Sequence, residues 1–260
     1  MPTLGLGVYK NDECAEACRI ALVNGYRMID SARAYRNEAQ VGEGVRASGV
    51  DRAGIFITSK VYGPGEYGLE KTAAAVSDSI ENLGFSYYDL YLIHSPIGGK
   101  DLRLAAYEAL LGAKAAGLIR TVGVSNYGIK HMEEIREAGL ETPAVNQIEL
   151  HPLCQQKPIV EYCKKHDIVV QAYTPLISGA TDNTVLQEIS KKYNKDPAQI
   201  LIRWSLQNGF VPLPKSSRES RIISNGRVYD FDIASEDMAK LDALDRGKDG
   251  AVTWNLVDTV

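Results

Sequence analysis

Much that would point to a partner or a compartment is missing from this sequence. No apolar run in its 260 residues approaches the roughly 20 that a membrane helix needs, and the N-terminus lacks the basic start and apolar core of a signal peptide. The expectation is a soluble, cytoplasmic chain that engages no membrane. Basic residues are not in excess: the formal net charge is -4, so no cationic surface invites nucleic acid. The four cysteines, Cys14, Cys18, Cys154 and Cys163, form neither a CxxC pair nor a regular framework, and reduced thiols are expected. The four histidines, His94, His131, His151 and His166, lack ligand spacing such as HExxH, so no metal is expected. A GxGxxG turn is also missing, since Gly5-Leu6-Gly7 has no third glycine. That weighs against a doubly wound dinucleotide fold.

What is present is a regular alternation. Short apolar runs at Leu4–Tyr9, Tyr26–Ile29, Ile55–Thr58, Tyr88–Ile93, Thr121–Val124, Ala144–Glu149, Ile168–Ala172 and Phe210–Pro214 read as strands. Between them lie segments of helical period. Asp12–Asn24, with Asp12 as its cap, is the first. Glu38–Ala47, Gly68–Leu83, Leu102–Ala116, Ile129–Ala138, Pro158–His166, Thr184–Tyr193, Pro197–Gln207 and Ser235–Leu244 follow. The strands are too apolar for a half-exposed sheet, which predicts a parallel sheet covered by helices. About eight such units can close on themselves as a (β/α)₈ TIM barrel. With no linker or shift in composition, residues 1–260 read as a single domain.

The apolar runs end on polar residues: Asp30, Lys60, His94, Asn126, Gln147, Tyr173 and Lys215. In a closed barrel these ends share one face, where active sites are built. One polar residue at a strand end means little, but seven with complementary chemistry make a site. The polar members of Ala144–Glu149 are expected to face the mouth. Tyr35, five residues past Asp30, can fold over it. A free tyrosine has a pKa near 10, and a lysine held by a carboxylate is expected to lower it, making Tyr35 a general acid. Neutral His94 can donate a hydrogen bond to the same carbonyl oxygen. Downstream, Lys215, Ser216, Ser217, Arg218 and Arg221 surround the start of a short helical turn that runs to Asn225. That is chemistry for a dianionic phosphate, although a solvated basic loop is the commoner fate of such a cluster.

The stretches GYRMIDSARAYRNEAQVG, FITSK, DLYLIHSP, VGVSNY, AVNQIELHP, AYTPL and VPLPKSSRESRIISN resemble, in order and spacing, the aldo-keto reductase family, from about Leu4 to Trp254. The resemblance implies a TIM barrel that reduces aldehydes or ketones with NADPH bound outside any Rossmann domain. It implies the catalytic tetrad Asp30, Tyr35, Lys60 and His94. It places the nicotinamide carboxamide on Ser125, Asn126 and Gln147, with the ring stacked on Tyr173. Thr174 and Leu176 resemble the pyrophosphate contacts. Lys215, Ser216, Ser217 and Arg221 resemble the 2′-phosphate grip, and Asn225 an adenine contact. The substrate, a small carbonyl compound, is implied to meet Tyr9, Tyr62, His94 and Trp254.

Departures from the family pattern shape further expectations. Tyr9, Tyr62 and Ser95 stand where tryptophan is frequent, making the pocket smaller-walled and more polar. Met1-Pro2-Thr3 leads straight into the first strand, so the barrel floor is expected without the family's N-terminal hairpin. The loop from Ile177 to Asn183 is short, and few residues follow Trp254, which suggests an open pocket. A monomer is the family default. Two other readings stay open: an NADPH-binding regulatory subunit, and a Schiff-base lyase acting through Lys60.

Overall fold

Hydrogen bonding joins eight parallel strands in chain order: β1 (Leu6–Gly7), β2 (Met28–Asp30), β3 (Phe56–Val61), β4 (Leu90–Ile93), β5 (Val122–Ser125), β6 (Val145–Glu149), β7 (Val169–Tyr173) and β8 (Val211–Pro212). The computed structural model describes residues 1–260. The sheet closes where the amides of Gly5 and Gly7 donate to the carbonyls of Pro212 and Pro214 at 3.1 and 3.0 Å. Gly7 also bridges Lys215 in parallel. The helices are α1 (Cys14–Val23), α2 (Glu38–Ser48), α3 (Leu69–Leu83), α4 (Lys100–Ala115), α5 (Ile129–Glu137), α6 (Lys157–Lys165), α7 (Thr184–Tyr193), α8 (Pro197–Gln207), α9 (Glu219–Gly226) and α10 (Ser235–Asp242). This is the expected (β/α)₈ TIM barrel.

The period-2 alternation of each strand decides which side chains enter the barrel. On β3, Thr58 and Lys60 share the inner face with Phe56, while Ser59 points out and donates to Glu38 at 2.5 Å. Met28, Val211, Leu213, Leu90, Leu92 and Val145 pack with Phe56 in two small clusters. Met1 reaches Gln171, its Sδ 3.4 Å from Gln171 Nε2. Outside, a continuous apolar cluster of 51 buried residues fills the space between strands and helices. There α1 and α2 touch backbone to backbone, because a Cβ at Gly44 would lie 2.4 Å from the Ala15 carbonyl oxygen.

Two local expectations are corrected. Asp12 does not cap α1; Glu13 stands at the cap without a side-chain bond, and the Cys14 amide donates instead to Gln40 Oε1 of α2 at 3.0 Å. A tertiary contact has replaced the local cap. On β6, Asn146 does not face the mouth. Its parity turns it outward, where its amide donates to the Tyr127 carbonyl at 2.8 Å.

Candidate active site

Strand polarity delivers the chemistry to one end of the barrel. Lys60 has no exposed surface, and its ammonium donates to Asp30 Oδ2 and to the Ser31 carbonyl, both at 2.7 Å. A buried ion survives only when paired and hydrogen-bonded, and this one is both. The other Asp30 oxygen accepts from Gln147 Nε2 at 2.7 Å, and Gln147 gives its second N–H to Gln171 Oε1 at 2.8 Å. An ionised carboxylate only accepts, so Gln147 must turn its NH₂ inward and leave its carbonyl oxygen toward the mouth.

Tyr35 ends a 3-10 turn, Arg33–Tyr35, closed by Arg36 in the left-handed region at φ 55°. Its ring centroid lies 5.7 Å from that of His94 and 5.2 Å from Lys60 Nζ. Arg33 holds the turn, through Nε to Glu66 Oε1 at 3.0 Å and through a nitrogen to the Ala75 carbonyl at 2.8 Å. The second oxygen of Glu66 accepts the Tyr62 amide at 2.8 Å. One carboxylate therefore ties the loop bearing Tyr35 to the loop bearing Tyr62. Neither Arg33, Glu66 nor Gln171 stood out in the sequence, since their roles come from partners dozens of residues away.

Burial pushes the Tyr35 phenol well above its ordinary value, and the negative charge of Asp30 adds to the shift. The expected lowering by Lys60 is thus reversed, because loss of water around the phenol and the nearby Asp30 carboxylate outweigh the ammonium. Burial likewise lowers Lys60 against the opposing pull of Asp30. For His94, burial and then the positive charge of Lys60 hold the ring well below its usual range. Near neutral pH the pair is a protonated phenol beside a neutral imidazole. The half-exposed rings of Tyr9, Tyr62 and Trp254 surround them, with centroids 4.9 Å from Tyr35, 5.8 Å from His94 and 5.8 Å from His94 respectively.

Around the mouth, Ser125 donates to the Gln147 carbonyl at 2.9 Å, and Asn126 Nδ2 donates to the His94 carbonyl at 3.0 Å and to Ser125 Oγ at 3.1 Å. Tyr173 donates its hydroxyl to Asn126 Oδ1 at 2.8 Å. Donors here are spent within the protein, and acceptors, chiefly Gln147 Oε1 and the second lone pair of Asn126 Oδ1, remain. Asn126 and Thr174 hold φ of 62° and 51°, a conformation retained only where the surroundings over-determine it. Leu176 packs half-buried behind them.

Farther along, Ser216 Oγ accepts the Arg218 amide at 3.1 Å at the start of α9. Lys215, Ser217, Arg218 and Arg221 are exposed, and none of these cations is within ion-pair distance of a carboxylate. Asn225 is only 5% exposed. Unpaired cations at a helix N-terminus fit a phosphate-bearing ligand. The structure thus gathers Asp30, Tyr35, Lys60, His94 and the three aromatic wall residues into one mouth, with Ser125, Asn126, Gln147 and Tyr173 beside them. Lys215, Ser216, Ser217, Arg221 and Asn225 form a second group at β8 and α9.

Comparison with known proteins agrees with this geometry. The model of the Aldo/keto reductase family matches residues 3–246. The chain is 46% identical over 250 residues to the glyoxal reductase of Bacillus subtilis (strain 168), covering 95% of this chain and 90% of that protein. An aldo-keto reductase from a Medee basin deep-sea metagenome library superposes with a TM-score of 0.94 at 36% identity, covering 100% of this chain and 96% of the other. The Bombyx mori aldo-keto reductase, solved in complex with NADP, gives 0.86 at 31% identity, over 94% and 89%. Barrel, mouth and likeness along nearly the whole length lead to one conclusion: the chain belongs to the aldo/keto reductase family and is an oxidoreductase acting on carbonyl groups with a nicotinamide cofactor.

Proposed function

We propose that this protein reduces a small aldehyde or α-dicarbonyl compound to the alcohol, using NADPH, with Tyr35 as the proton donor. The observation that carries the reading is the packing of the Tyr35 ring against His94, 5.7 Å between centroids, over the buried Lys60–Asp30 pair. Bound NADPH supplies a hydride to the carbonyl carbon. Tyr35 gives its proton to the carbonyl oxygen, and the neutral His94 ring donates a hydrogen bond to the same oxygen as charge builds there. Lys60, 5.2 Å from the Tyr35 ring, offsets the phenolate left behind. Gln147 couples the two halves of the site, since its amide holds Asp30 while its free oxygen suits the NH₂ of a carboxamide. The small, polar wall of Tyr9 and Tyr62, with the 46% likeness to a glyoxal reductase, supports a compact, oxygen-rich substrate. A panel of glyoxal, methylglyoxal, simple aldehydes and ketones, run with NADPH and NADH in parallel, tests this. Absence of turnover with every carbonyl would leave the regulatory-subunit reading standing.

The lyase alternative is disfavoured by access. Two N–H donors of Lys60 are engaged and the residue has no exposed surface, so a carbonyl carbon cannot reach its nitrogen.

Two consequences follow for measurement. Arg221 and Lys215 are assigned to the 2′-phosphate, and Arg221→Ala is expected to weaken NADPH binding about tenfold while changing NADH binding less than about twofold, as loss of one charge-assisted hydrogen bond would. Equal weakening of both would remove the assignment. The second consequence concerns His94, which acts neutral and whose proton affinity is lowered, so its working form persists below the ordinary value of about 6.5. The kcat/KM for reduction should therefore differ by less than about twofold between pH of roughly 7.5 and 6. A decline with its midpoint near 6.5 would mean the ring titrates like a free histidine.

A further inference from the structure

We infer that Glu149 is a positioning residue that sets the substrate range of this site, by fastening the segment that carries Trp254; the inference rests on the reductase reading above. Glu149 ends β6 with its side chain wholly buried. Its Oε1 accepts the Val252 amide at 2.6 Å and His151 Nε2 at 3.0 Å, and its Oε2 accepts the Thr253 amide at 3.2 Å and also the Thr253 hydroxyl. A carboxylate taken out of water must find such partners, and here three of the four donors belong to two consecutive residues of the C-terminal segment. The next residue is Trp254, whose ring stands edge-on to His94 at 5.8 Å and 82°. Trp254 is itself 42% exposed, so its own burial does not hold it. Its place is set by the backbone before it, and that backbone is set by Glu149.

The segment is fastened a second time beyond Trp254. A Cβ at Gly128 would lie 2.2 Å from the Val257 carbonyl oxygen, so only glycine lets the chain pass there. His131 accepts the Gly128 amide on Nδ1 at 3.0 Å, which leaves Nε2–H to donate to the Thr259 carbonyl at 2.7 Å. Trp254 is thus suspended between two anchors and presents an open indole face beside the reacting centre. An aromatic carbonyl compound can cover that face. Glyoxal, held at Tyr35 and His94, is too small to use it.

Glu149→Gln keeps the volume but turns an NH₂ toward donors, and Gly128→Ala displaces the segment from the other anchor without touching Glu149. Both variants are expected to raise KM for benzaldehyde about five- to tenfold, the worth of one aromatic contact, while kcat and KM for glyoxal stay within about twofold. Acrylamide quenching of tryptophan fluorescence should rise in both, since Trp204 is buried and only Trp254 can be released. Unchanged quenching and an unchanged benzaldehyde-to-glyoxal KM ratio in both variants would overturn the inference. So would a fall in kcat with both substrates in Glu149→Gln while Gly128→Ala behaves as wild type. If Glu149→Gln does not fold, Gly128→Ala decides by the same two readouts. Should the wild-type protein reduce no carbonyl, the reductase reading fails separately, and the quenching alone still shows whether Glu149 fastens Trp254.

Discussion

Tyr35→Phe is expected to lower kcat for carbonyl reduction by about 10²- to 10⁴-fold, the range that a positioned proton donor contributes. The substitution removes one oxygen and nothing else. The ring keeps its contacts with Tyr9 at 4.9 Å and His94 at 5.7 Å, and the hydroxyl has no hydrogen-bond partner inside the protein that would be orphaned. Folding stability should therefore change by less than about 0.5 kcal/mol, as for a substitution away from any buried network. The dissociation constant for NADPH should stay within about threefold, because the residues assigned to the cofactor lie on β5 to β8 and α9. Single-turnover kinetics with saturating NADPH measure the first effect, and fluorescence titration of NADPH the second. A Phe variant with near-normal kcat would assign the proton to another group.

Lys60→Met is expected to do two things at once. Turnover should fall at least as far as in Tyr35→Phe, because the ammonium that offsets the developing phenolate is gone. Stability should also fall by about 3 to 5 kcal/mol, since Asp30 is then left buried and charged with only the Gln147 amide as partner. The double variant Asp30→Leu with Lys60→Met separates these effects. Removing both charges should recover much of the stability, because a buried ion pair replaced by apolar groups is close to neutral, while activity stays lost. Urea unfolding of the single and double variants gives the stabilities. If Lys60→Met is as stable as wild type, the pair is not the buried, mutually dependent unit described here.

How far the sequence announces this molecule differs from element to element. The strand positions are legible because each apolar run stops on a polar residue, and a parallel sheet buried on both faces needs such runs. Helices Thr184–Tyr193 and Pro197–Gln207 match their expected bounds, the second because Asp196 and Gln199 form a capping box around Pro197. What local pattern cannot show is who satisfies whom across the barrel. Asn146 and Gln147 are adjacent and chemically alike, yet one serves the helical shell and the other Asp30. Only the pairing of Ser125 with Gln147 in the register of β5 and β6 decides between them. Gln171, Arg33 and Glu149 escape for the same reason, since each acts on a partner brought near by closure of the barrel. The reversed shift of Tyr35 has a related origin. Its direction depends on how much water the fold excludes from the phenol and on how near Asp30 lies, and neither can be counted along a chain.

The central claim is that a hydride and a proton meet a carbonyl group at the mouth formed by Tyr35 and His94. Reduction of glyoxal with NADPH carrying two deuterium atoms at nicotinamide C4 tests it most directly, with the product examined by mass spectrometry and NMR. One deuterium is expected on the new carbinol carbon for each NADPH oxidised, with both yields collapsing together in the Tyr35→Phe protein. An alcohol formed without deuterium, or labelled product at an undiminished rate from the Phe variant, would contradict it.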